Sequence, residues 1–172
     1  MSDYFNWFYD ILISYNVSEG VATNINLLIN AVILIIILFI FDFLIKRIVI
    51  RGFQFFTIKT KTTFDDFLIK SNFPKYVAHI IPFFILRAAI PNLFKGFESW
   101  GSFFTKVTDV YLIFLIIWIF RSVIKSITNY LIHKYYFKDK PLDIYAQVLT
   151  IFIWSIGFLF MFSELTDQSI LK

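Results

Sequence analysis

Apolar residues in this 172-residue chain gather into four long runs, each set off by a short stretch of polar and charged positions. The first covers residues 25–44, and from Ala31 to Phe41 it is almost purely Ile, Leu, Val and Phe. At ~1.5 Å per residue, about twenty helical residues reach roughly 30 Å, the thickness of a bilayer's hydrocarbon layer. Runs over 73–94, 107–126 and 142–162 repeat that length. Ahead of them, Tyr4, Trp7, Phe8, Ile11, Leu12 and Tyr15 recur at helical spacing, with Asp3, Asn6, Asp10 and Ser14 between. Residues 1–16 therefore predict an aromatic-rich helix in the membrane–water interface, weighed against an ordinary mobile terminus. The predicted fold is all-α and integral to the membrane. It has four transmembrane helices, a short N-terminal interfacial helix and amphipathic cytoplasmic connections, all in one membrane domain.

The connections carry their own signals. Residues 46–72 form a basic segment in which Thr63-Phe-Asp-Asp66 fits the broad capping-box pattern. A short amphipathic helix is expected after it, with Phe64, Phe67 and Leu68 against lipid or protein and Asp65 and Asp66 wet. Two aspartates supply too few ligands for a divalent ion, so a salt-bridged turn is the simpler reading. Asp42 stands four residues before Lys46, an ion-pair spacing on a helix. In the second run Pro74 suits a helix start and Pro91 an end, while Pro82 falls inside and predicts a kink. His79 reads as a packed or interfacial histidine. Arg87 lies about seven residues, or roughly 10 Å, from the outer end, within snorkelling range of the headgroups. Asp109 enters the third run near the same surface, so two readings stand open: an intramembrane Arg87–Asp109 pair, or independent snorkelling. An outer loop over 95–106 holds Trp100. Beyond Arg121 the helical pattern continues amphipathically through Val123, Ile124, Ile127, Tyr130 and Leu131, leaving Arg121, Lys125 and Asn129 toward water. Pro141 then fits a first helical turn, and Asp143 complements the positive end of that helix.

Composition and charge sharpen the class. With 59% hydrophobic residues and a mean hydropathy of +0.74, the chain has too little polar surface for a soluble globule. No Lys or Arg precedes Lys46, and twelve of the sixteen fall in two clusters, Lys46–Lys75 and Arg121–Lys140. That asymmetry predicts basic connections on the cytoplasmic side and both termini outside. The net charge of +4 matches attraction to anionic lipid headgroups rather than nucleic acid. The 24 phenylalanines suit a lipid-facing surface, and a compositional bias of the genome explains them equally. A basic n-region and a small-residue cleavage site, the marks of a cleavable signal peptide, are missing at the N-terminus. With no cysteines, neither a disulfide framework nor a thiolate metal site is available.

Chemistry is sparse. His79 and His133 belong to no HExxH-like pattern, and no glycine-rich phosphate loop or multi-aspartate motif occurs. An enzyme is not expected, and neither is a cofactor or a metal. A pore is not written here either. The four runs hold one glycine, Gly157, and no GxxxG pair, whereas helices packed tightly about an axis need small residues.

Two stretches carry a family resemblance. One is Lys61-Thr-Thr-Phe-Asp-Asp-Phe-Leu-Ile69, ahead of Tyr76-Val-Ala-His-Ile-Ile-Pro82. The other is Lys140-Pro-Leu-Asp-Ile-Tyr-Ala-Gln-Val-Leu-Thr-Ile151, leading into Trp154-Ser-Ile-Gly-Phe158. Both resemble the N-terminal membrane region of bacterial mechanosensitive channels of the small-conductance (MscS-like) family, in the enlarged branch with extra N-terminal spans. The resemblance covers most of residues 25–172. It implies tension-sensing paddles in the bacterial inner membrane, a homo-oligomer (a heptamer in the family), and osmotic-downshock release of ions and small solutes by the complete channel. It also implies a pore helix and a cytoplasmic β-rich domain with no counterpart here, so a truncated fragment is one expectation. Membrane lipids are the expected partners, with Lys46, Arg47, Arg51, Arg121 and Lys125 on inner-leaflet headgroups and Pro82 as the hinge. The rival expectation is a small four-span accessory or scaffold protein that conducts nothing.

Overall fold

The computed structural model describes residues 3–59, 63–134 and 140–168. Among these, every regular element is an α-helix: α1 (Asp3–Ser14), α2 (Glu19–Lys59), α3 (Phe64–Lys70), α4 (Phe73–Ala78), α5 (Ile80–Leu93), α6 (Glu98–Ile132) and α7 (Leu142–Thr166). Four stretches are long and apolar enough to cross a membrane: Glu19–Thr57, Phe73–Leu93, Glu98–Ile132 and Leu142–Thr166. The chain is all-helical and carries four candidate spans, as its apolar runs predict.

Two boundaries differ from expectation. The first helix does not end at the basic segment: α2 continues to Lys59, 41 residues and roughly 60 Å. Nothing in that segment breaks a helix except Gly52, whose cost is small, and the Asp42–Lys46 pair at 2.6 Å spans one turn of it. The expected loop over 95–106 is also mostly helix, since α6 begins at Glu98. The turn shrinks to residues 94–97, where Gly96 takes φ +88°. Here aromatic packing outweighs local polarity. Phe94 stacks on Phe104 with ring centroids 4.8 Å apart, and Trp100 packs on the same ring at 6.3 Å.

Around the second span, the prolines set the shape. Pro74 sits in the first turn of α4, after Asn72 in the left-handed conformation at φ +64°. Pro82 lacks an N–H for the Ala78 carbonyl, and α4 ends at Ala78. The chain resumes as α5 at Ile80, with Phe83 N donating to His79 O at 3.1 Å. The break lies three residues before the proline, where a missing i→i−4 bond would put it. Pro91 does not end α5 at once; the helix runs two residues further, to Leu93.

Substantial contacts run in chain order: α1 on α2, α2 on α4 and α5, α5 on α6, and α6 on α7. No substantial contact joins α2 to α7 among the described residues, as a closed bundle would require. The result is a row of spans one helix thick. Its two broad faces stay apolar and uncovered; in the most apolar window of α2 only 6% of residues are buried, and Phe39 is 78% exposed.

Small residues hold the row together. Gly157 on α7 lies against Ile117 on α6, where an added methyl would overlap Ile117 Cδ1 and stand 2.9 Å from its Cγ1. A lone glycine without a GxxxG partner thus makes the close helix contact that its sequence context did not promise. At the other side of α6, Ser122 Oγ donates to Ser71 O at 2.7 Å, and Ser126 Oγ lies 3.1 Å from Phe67 O. The buried face of α6 after Arg121 is this hydroxyl face, with Ser122, Ser126 and Thr128, while Ile127 is exposed. Arg121 and Lys125 are exposed, as the amphipathic pattern predicts, but the pattern did not single out the buried hydroxyls. Phe67 O already accepts from Ser71 N at 3.0 Å, so Ser126 adds a second contact there, whereas Ser71 O, at the turn that ends α3, takes the Ser122 hydroxyl. Against this face Phe67 is buried, with Tyr130 and His133 stacked around it. Thr63 precedes α3 as expected but makes no capping hydrogen bond.

Replacing Gly157 with leucine should force α6 and α7 apart and cost about 1–3 kcal/mol. Thermal unfolding of the detergent-solubilised chain checks this; an unshifted midpoint would mean that the two helices do not meet at Gly157.

Candidate functional site

Besides the Lys106–Asp167 pair, which joins α6 to the end of α7 at 2.5 Å, ionisable side chains on the candidate spans gather at three places. The first lies between Arg87 and Asp109. Arg87 stands on α5 six residues before Leu93, roughly 9 Å from the helix end. Asp109 faces it from α6. The two meet through both carboxylate oxygens, Nε to Oδ1 at 2.8 Å and Nη2 to Oδ2 at 3.2 Å. This fork geometry fixes the rotation of α5 against α6 as well as neutralising both charges. Of the two open readings for these residues, the structure has the pair. Side chains only partly covered (39% and 25% exposed) keep its net stabilisation modest.

The second place lies toward the basic end, where the carboxylate of Asp42 is shared. One oxygen meets Lys46 Nζ at 2.6 Å, and the other stands 2.9 Å from His79 Nδ1 without an aligned hydrogen bond. His79 is the residue at the α4–α5 break. The contact therefore ties the middle of α2 to the one discontinuity in the second span. Asp42, His79, Pro82 and Tyr111 line an apolar cleft of about 430 Å³ beside it. The sequence points to the Asp42–Lys46 pair but not to His79 as its third member. Its signal was depth: Asp42 sits near the end of one apolar run, and His79 six residues into the next, which returns antiparallel.

The third place holds the expected headgroup cations, and the structure divides them. Lys46 is committed to Asp42, and the Arg47 guanidinium lies over the Phe43 ring at 5.0 Å. Arg51 is exposed on the continuation of α2. Arg121 and Lys125 are on α6, across a separate cleft from the start of α7. All five lie toward the same end of the row, since α2 descends to it and α6 does too. Of the other basic residues there, Lys61 and Lys138 lie outside the described residues.

Among the described residues no cluster of three His, Cys, Asp or Glu side chains could hold a metal ion. What the arrangement offers is charge pairing across helix seams and cations at one end of an apolar row. Comparisons with protein-family models, with curated proteins and with solved structures find no match to this chain. Its class, an all-helical protein with four candidate membrane spans, rests on the helices themselves.

Removing either half of the Arg87–Asp109 pair leaves a charge without its partner. Arg87→Gln and Asp109→Asn should each destabilise the solubilised chain, and the double variant should lose less than their sum. A coupling of about 1 kcal/mol in a double-mutant cycle is expected. Strict additivity would remove the pair from the account.

Proposed function

We propose that this chain is the tension-sensing membrane region of an MscS-like mechanosensitive channel, working as a homo-oligomer in the inner membrane of a bacterium. One observation carries the reading: the spans form a row one helix thick with both broad faces apolar. Such a row has large lipid contact and little internal core. When tension thins a bilayer and spreads it, the apolar length that must be covered changes, and a thin row answers by tilting. The tilted and upright arrangements then differ in lipid contact, which is what allows tension to shift their populations.

The charges fit this use. Basic residues cluster at one end, the end placed on the cytoplasmic side, with α1 at the outer interface. Lys46, Arg47, Arg51, Arg121 and Lys125 act as inner-leaflet anchors, so the row pivots about them rather than sliding through the membrane. The break before Pro82 is the flexible point. The same apolar faces also suit the membrane helices of another protein, which favours, as a second reading, a non-conducting accessory or scaffold.

Spin labels on α2 and α7 separate the two readings. In vesicles of long-chain lipid and then of short-chain lipid, tension sensing predicts a change in the interspin distance, and a rigid scaffold keeps it fixed. In patch recordings of the channel containing this chain, neutralising the five cations should shift the tension threshold; an unchanged threshold would refute their role. Orientation is read from single thiols at Lys70 and Lys134, which an impermeant reagent outside whole cells should leave unlabelled.

A further inference from the structure

We infer that the cleft between the basic-end halves of α6 and α7 binds the headgroup of an aminophospholipid, phosphate on α6 and ammonium on α7. The cleft measures about 550 Å³, and its walls carry opposite charges. Arg121 and Lys125 stand one turn apart on α6; Asp143 lies in the first turn of α7, with Gln147 one turn further. None of these three charged groups forms an ion pair with a described residue, although the two helices pack together. A zwitterion satisfies both walls at once. Its phosphate accepts charge-assisted hydrogen bonds from Arg121 and Lys125, and its primary ammonium donates to the Asp143 carboxylate.

Depth and shape agree with a lipid. Arg121 directly follows the unbroken apolar stretch that ends at Phe120, and Asp143 lies in the first turn of α7 just before Ile144, so both mark the level where hydrocarbon gives way to headgroups. Ile124 and Ile151 line the same cleft and offer apolar wall for the first acyl carbons. Other headgroups fit less well. A choline ammonium has no N–H to donate to Asp143, and a glycerol headgroup offers that carboxylate hydroxyls but no positive charge. The inference rests on this end of the row lying in a leaflet's headgroup layer, one part of the proposed function, and not on tension sensing.

Native mass spectrometry of the full chain in micelles tests it, with phosphatidylethanolamine, phosphatidylcholine and phosphatidylglycerol of identical acyl chains. Phosphatidylethanolamine should be retained about fivefold over phosphatidylcholine, the weight of one partly exposed charge contact. Asp143→Asn should abolish that preference and Asp143→Glu keep it, while Arg121→Gln with Lys125→Gln should weaken all three lipids. Soluble phosphoethanolamine at equal concentration should not displace the lipid; full displacement would make the ligand a free metabolite and overturn the lipid assignment. Equal retention of the three lipids, or a preference untouched by Asp143→Asn, would equally overturn it. Binding is read without tension, so this result and the spin-label result fail separately.

Discussion

Everything in this structure follows from the need to cover apolar helix surface that the protein itself leaves bare. The most apolar window of α2 is almost wholly uncovered, and Phe39 and Ile48 project from it. In water such a surface would drive collapse into a bundle or aggregation, since burying it is worth roughly 25 cal/mol per Å². In lipid there is no such drive, because acyl chains are as apolar as leucine. The spans therefore need not maximise contact with one another, and a row is as good as a bundle. What holds them is specific contact: one glycine, two serines, two charge clusters and the Lys106–Asp167 pair.

Those contacts are small, and that is why they were hard to see. Four apolar runs point to the four candidate spans, the second read over 73–94 and found over α4 and α5, Phe73–Leu93. Apolar length is a strong signal. The ends were weaker: α2 continues through its basic segment and α6 begins well before Val107, because neither Lys and Arg nor aromatic residues stop a helix. Ser122 and Ser126 were invisible for a different reason. A serine on an amphipathic helix reads as water-facing; Ser122 instead reaches a carbonyl 51 residues away, and Ser126, bonded to Ser122 O on its own helix, also lies against one 59 residues away. Arg87 and Asp109 were legible as a pair of depths, not as a bond; His79 was legible only as an isolated residue.

Local and long-range terms also compete at Asn72. A non-glycine residue at φ +64° is uncommon, though asparagine tolerates it better than most. The turn it makes presents Ser71 O and Phe67 O to the two serines of α6. Backbone discomfort at one residue is thus offset in part by the Ser122 hydrogen bond to Ser71 O. The basic end of the row is the better fastened one as a result, with α3, α4 and α6 meeting there.

Fastening at that end bears on how the row can move. The break at His79 divides the second span into a short piece toward the basic end, α4, and a longer piece beyond it, α5. Asp42 holds the break to α2 from one side, while Arg87, two turns further on, holds α5 to α6. A rotation of α5 about the break strains the forked Arg87–Asp109 pair first, because two parallel bonds tolerate little twist. The Asp42–His79 contact, lacking alignment already, gives more easily. Motion of α5 is therefore carried to α6 and from there, through Gly157, to α7. The serine-pinned turn stays behind with α3. A single break flanked by one loose contact and one forked pair is the arrangement that the proposed role in sensing membrane tension would call on.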